Sequence, residues 1–196
     1  MLGNSPGATN TINIGTAAAD RIVLLLTQQY ADDSYVVSRT LNGSTPSILW
    51  SANPGSLQYL RVLAMAIPSG TTASLFFRAS STGVSLQYLT YAIYGLGNQS
   101  IFQAKSTANA TNTSTTINIP ANGFALGWRF SGSGVTPPSG TTWTGLTRDT
   151  TVSGGSSNTV DPSCGQFTTA SAVTGRTISA SANYGGYMGV ISMGNG

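Results

Sequence analysis

A chain of 196 residues is long enough for one well-buried core, and its composition rules out several functions early. Charged residues make up 7% of it against a usual value of about 25%. The net charge of +3 rests largely on arginines spread over positions 21, 39, 61, 78, 129, 148 and 176, so the concentrated positive face that nucleic-acid binding needs is not expected.

His and Glu are absent, which removes the Ser-His and Cys-His dyads of nucleophilic catalysis. A hydrophobic content of 40%, with eight Tyr, six Phe and three Trp, argues against disorder. A folded chain of 20.1 kDa exposes roughly 8,700 Å². Eight basic and five acidic residues cannot cover that area, so large uncharged tracts of Ser, Thr, Asn and Gly must face outward. Depletion of charge is typical of surface buried against partners, and the chain reads as a β-rich subunit of an assembly. The single cysteine, Cys164, excludes an intramolecular disulfide framework and reads as a small buried residue. No basic segment followed by an apolar run opens the chain, so no signal peptide is read. The longest apolar run, Ile22–Leu26, is too short to cross a bilayer, and no membrane partner is expected.

In chain order, residues 1–10 are rich in Gly, Asn, Ser and Pro and read as an N-terminal arm, followed by a single domain over 11–196. Thr11–Gly15 is a short edge strand. Over Ala17–Tyr30 helix and strand compete, because Ala17–Ala19 and the Leu and Gln content favour a helix, while Ile22–Leu26 is an apolar run of buried-strand length. The β character of the rest decides for strand. Tyr35–Leu41 and Ser47–Ser51 flank Asn42-Gly43, the pair best suited to a type I′ hairpin turn.

Leu57–Ile67, Ala73–Ser80 and Val84–Tyr94 then read as three successive strands of a meander, joined in the first case by the turn Pro68-Ser69-Gly70-Thr71-Thr72. The middle strand alternates, with Ala73, Leu75, Phe77 and Ala79 on one side and Ser74, Phe76, Arg78 and Ser80 on the other. Its neighbours are apolar on nearly both sides and belong inside a covered sheet.

Ser100–Lys105 is a strand, followed by a polar loop, a strand at Thr115–Ile119, a turn at Pro120–Gly123 and a strand at Phe124–Phe130 whose Trp128 is a core or interface anchor. Gly132–Gly140 and Val152–Pro162 are loops. Thr141–Thr151, Gln166–Ala172, Thr177–Ala182 and Tyr187–Met193 complete ten to twelve short strands with no secure helix. The expected fold is all-β, a two-sheet antiparallel β-sandwich of jelly-roll-like topology.

Chemistry is scarce. Paired-carboxylate catalysis would have to draw on Asp20, Asp32, Asp33, Asp149 and Asp161, whose spacing matches no catalytic or calcium-binding pattern. No phosphate-binding loop is present. No catalytic residue, metal ligand or cofactor is assigned. Aromatic residues offer one alternative, a carbohydrate platform built from Tyr184 and Tyr187 around Gly185-Gly186, with Trp143 next; filling of a core or a subunit contact is the simpler reading of all three.

Asp20-Arg21-Ile22-Val23, Leu60–Ile67 running into Pro68–Thr72, and Thr116-Ile117-Asn118-Ile119-Pro120-Ala121-Asn122-Gly123-Phe124-Ala125-Leu126 together resemble small β-sandwich virion structural proteins of tailed bacteriophages. Thr142-Trp143-Thr144-Gly145-Leu146-Thr147 before Asp149, and a last strand ending near Met193, are similar too; Tyr184-Gly185-Gly186-Tyr187 departs from that pattern in being richer in Gly. The resemblance implies a virion component without enzymatic activity. On this reading the chain is a capsid decoration (cement) subunit that stabilises the shell as a homo-oligomer, a trimer, on the major capsid protein or other virion proteins, after assembly in the host cytoplasm. The alternative is a tail-fibre or baseplate adsorption module that binds host-surface carbohydrate.

Overall fold

Alternation over Ala73, Leu75 and Phe77 demands a strand with one buried side, and the computed structural model contains it, with those three residues buried and Thr72, Ser74 and Arg78 exposed. The structure describes residues 7–30, 35–55, 57–80, 86–96, 100–131, 141–149, 154–155 and 163–194. Among these the regular elements are antiparallel strands: β1 (Ala8–Asn13), β2 (Ile22–Tyr30), β3 (Val36–Leu41), β4 (Ser47–Gly55), β5 (Gln58–Ala66), β6 (Thr72–Ala79), β7 (Leu86–Ile93), β8 (Ile101–Ile119), β9 (Gly123–Ser131), β10 (Thr142–Thr144), β11 (Thr147–Asp149), β12 (Gly154–Gly155), β13 (Ser163–Thr169) and β14 (Val173–Gly194). The all-β expectation therefore holds. The chain divides into two units, one of Met1–Leu96 with Ser153–Ser157 and one of Gly97–Val152 with Asn158–Gly196.

The first unit is a sandwich of two sheets, ordered β1-β6-β3 and β12-β7-β2-β5-β4. Strands that follow one another in sequence alternate between the sheets, except that β4 and β5 pair; this is the jelly-roll-like crossing. Ile12, Leu41, Ala73, Leu75 and Phe77 from the smaller sheet meet Val23, Leu25, Leu63, Leu86 and Tyr88 from the larger in one core. The residues between them on β2 and β5, including Leu24, Leu26, Leu60 and Val62, are also buried, so these strands are covered on both sides. That explains why β2 is a strand. Every residue from Ile22 to Gln29 is buried, and β5 and β7 pair with its two edges, which is the place for a short continuous apolar run.

Strand pairing in this unit departs from expectation in three places. The three strands from residue 57 to 94 exist as β5, β6 and β7, but they form no meander: β5 and β7 both flank β2, and β6 lies in the other sheet. Their own sequences explain the split, because the doubly apolar strands take covered positions and the alternating strand goes where one side is wet. The crossing between sheets at Ile67–Ser69 is held by Arg21, a fully buried side chain. Its Nε donates to the Ile67 carbonyl (2.7 Å), Nη1 to Gly15 (2.9 Å) and Nη2 to Ser69 (2.8 Å).

Second, Asn42-Gly43 does make a type I′ turn, with φ of 50° and 80° and both Leu41–Ser44 hydrogen bonds formed. The hairpin nevertheless stops there. Asn42 bonds with its N–H and its Oδ1 to the backbone of Ser74 on β6, and Pro46 has no donor to extend a β3–β4 ladder. Third, the edge strand starts at Ala8 rather than Thr11, because Ala8, Thr9 and Asn10 pair with Phe77, Phe76 and Leu75.

Tyr88 lies in the sandwich core, and Asn10 Nδ2 donates to its phenol oxygen (3.1 Å). Burial raises the Tyr88 pKa above its ordinary value of 10.0, against a smaller lowering by that hydrogen bond. The folded state thus holds the proton more tightly than the unfolded chain. Stability from this group is complete below pH 10 and is lost as pH rises through 10 toward the folded pKa. Denaturant titrations across this range are expected to show a shallower alkaline loss for Tyr88→Phe than for the parent chain.

The second unit is a single curled sheet, ordered β10-β14-β9-β13-β11, with β8 also on β14. Expected loops proved to be strand. Residues 106–114, read as polar loop, continue β8 from Ile101 to Ile119, and the two expected strands at 177–182 and 187–193 are one, β14. Polarity misled because this ribbon has a wet side. Thr113, Ile117 and Ile119 turn inward at every second or fourth position, and Ser, Thr and Asn fill the outward ones.

β14 serves two ladders on its other edge, pairing with β10 over Ser179–Ser181 and with β9 over Gly186–Gly194. Its register with β8 breaks between Ser181 and Gly186, and such irregularity bends a ribbon. The halves then enclose one core of Ile117, Ile119, Ile178, Ala180, Met188 and Val190 with Ala125 and Leu146. Asn118 N–H reaches Gln103 Oε1, joining positions 15 residues apart on β8, so the sheet is nearly a barrel. The single strand expected over Thr141–Thr151 breaks at Gly145, whose φ is 83°. Trp128 is fully buried, in keeping with its reading as an anchor.

Candidate functional site

On β10 the triplet Thr142-Trp143-Thr144 alternates exposed, half-buried, exposed. Trp143 turns toward the barrel core, packs against its apolar cluster and donates from Nε1 to Ser163 Oγ (2.8 Å). Its ring is therefore a fixed anchor and not an open stacking surface. Tyr187 is buried, at 6% exposed, so its ring is not an open stacking surface either. Tyr184 lies on β14, but its side chain is outside the described residues. The three aromatics proposed from sequence are not shown to converge.

Trp143 positions its neighbours instead. β10 pairs with β14 so that Thr142 lies opposite Ser181 and Thr144 opposite Ser179. β14 in turn pairs with β8, with Ser181 opposite Asn112 and Ser179 opposite Ser114. Two parallel rows result, Thr142–Ser181–Asn112 and Thr144–Ser179–Ser114, on the outward side of three strands. They border a groove of about 220 Å³ whose lining is completed by Thr113 and Ala180. From strand geometry the rows stand about 7 Å apart and each spans about 10 Å. Thr113 is buried and turns inward, its hydroxyl donating to the Ala180 carbonyl (3.2 Å), so it offers the groove no open hydroxyl.

No lining residue is ionisable, and the groove offers hydroxyls and one amide that donate and accept alike. Sequence reasoning missed it. The available signal was the polar-inward-polar form shared by Asn112-Thr113-Ser114, Thr142-Trp143-Thr144 and Ser179-Ala180-Ser181.

Ionisable groups are placed elsewhere. Asp20 accepts from the Gly95 N–H (2.6 Å) and fastens the end of β7. Asp149 closes β11, and the buried Cys164 donates from Sγ toward its carbonyl (3.7 Å). Asp32, Asp33 and Asp161 lie outside the described residues. Arg129 is buried, donates from Nη2 to the Ala110 carbonyl (2.9 Å), and has its pKa lowered by desolvation. Among the described residues no group of three His, Cys, Asp or Glu side chains is placed to hold a metal ion, and no helix is long and apolar enough to cross a membrane. Comparison with known protein families, curated proteins and solved structures finds no match to this chain.

Proposed function

We propose that this chain is a structural, non-enzymatic component of a bacteriophage virion, a capsid decoration subunit that works as a homo-oligomer, a trimer, seated on the major capsid protein. The observation that carries the reading is the poverty of charge on its exterior. Arg21, Arg61 and Arg129 are buried, which leaves ten of the thirteen ionised groups at most for 8348 Å² of surface. Tyr30, Tyr35, Val37, Ile48, Leu57, Tyr94 and Phe102 are large apolar side chains on that surface. The resemblance of short stretches within residues 17 to 193 to phage structural proteins supports the same reading.

The energetics favour many contacts over one. Burial of about 400 Å² of apolar surface yields roughly 10 kcal/mol in gross terms. Association costs of about 4–15 kcal/mol offset most of that, so a single contact of this size is marginal and a ring of subunits on a lattice is not. The purified chain is expected to show a multiple of 20.1 kDa in solution, to bind undecorated shells and to raise their resistance to heat. A monomer that leaves shells unbound overturns the proposal.

A further inference from the structure

The geometry points to a carbohydrate-binding site in the groove between the rows Thr142–Ser181–Asn112 and Thr144–Ser179–Ser114, selective for an uncharged glycan about two sugar units long. This inference stands apart from the virion reading and does not require it. Size supplies the first argument. The groove holds about 220 Å³, and its run of about 10 Å across three strands matches the length of a disaccharide.

Chemistry supplies the second. Sugar hydroxyls donate and accept at once, and so do the groove's five hydroxyl side chains in the two rows, while Asn112 adds two donors and an acceptor. A carboxylate or phosphate would find no cation among the lining residues to compensate its desolvation. Rigidity is the third. Thr142 and Thr144 flank an indole held by Ser163, and the loop after them is fastened where the Arg176 Nε donates to the Gly145 carbonyl (2.7 Å). The rows are therefore set before any ligand arrives, which limits the ordering cost. With no aromatic face among the lining residues, affinity at the site is in the millimolar range.

The test is titration of the isotope-labelled full chain with maltose, cellobiose, lactose and diacetylchitobiose, and with sialyllactose as a charged comparison. Amide shifts confined to residues 112–114, 142–144 and 179–181, with at least one neutral disaccharide, are expected. Thr142→Val and Ser181→Ala should each weaken that binding roughly two- to tenfold, with thermal unfolding nearly unchanged. Absence of shifts at those amides with every neutral sugar at high millimolar concentration overturns the site. Binding of sialyllactose as tight as that of lactose overturns its selectivity. The wild-type shifts alone decide the location if either variant folds poorly.

Discussion

Arg21→Met is expected to lower stability by about 2–4 kcal/mol, because three charge-assisted hydrogen bonds are lost while the methionine keeps the site filled. The guanidinium is fully buried and donates to three carbonyls, Gly15, Ile67 and Ser69, from two separate chain segments. Hydrogen bonds from a charged donor contribute about 1.5–3 kcal/mol each, and loss of the donor leaves the buried Ile67 carbonyl unmet. Arg21→Lys should recover little, because an ammonium is a compact point and cannot reach three acceptors set in a planar fork. Arg78 is exposed on β6, so Arg78→Met serves as the comparison and should change stability by about 0.5 kcal/mol or less. Urea unfolding followed by circular dichroism gives the difference as a shift in midpoint at unchanged slope. Equal shifts for the two variants would show that the three-carbonyl clamp contributes nothing particular.

The second large effect is Gly145→Ala, expected to cost about 3 kcal/mol or more. Two terms add. A residue held at φ of 83° costs an L side chain on the order of 1–3 kcal/mol, and the new Cβ would collide with the carbonyl oxygen of Thr177 on β14. Gly43 separates them. Its φ is 80°, but no atom lies within 4 Å of a Cβ placed there, so Gly43→Ala should show the conformational term alone, about 1 kcal/mol. Because Gly145 follows Thr144, its replacement should also shift the amides of the groove. Equal losses for the two alanine variants would remove the steric term.

What the sequence made legible was local. Alternation at Ala73–Phe77 and the turn residues Asn42-Gly43 each named their own conformation, since each is a short-range preference, whereas the apolar run Ile22–Leu26 was read as strand only from the β character of the rest. Partner choice was not legible. The meander failed because pairing depends on which sides are covered, and that is settled by β2, far from β7 in sequence. Residues 106–114 were misjudged for a different reason: hydroxyl-rich strands and loops share a composition, and period-two order is hard to see when inward positions are Ala or Thr. For the site, aromatics drew attention through their size, whereas Trp143 is spent on the core and the open groove is built from small hydroxyls.

The two-residue strand β12 has a consequence for synthesis. Gly154 and Gly155 cover the edge of β7 opposite Leu89 and Tyr88, yet they follow the whole of β8 to β11 in the chain. As the polypeptide leaves the ribosome at about 5–20 residues per second, that edge waits bare for roughly 3–12 s. A fragment ended at Leu96 would keep it bare for good, and the expected fate of such a truncation is to stick to itself.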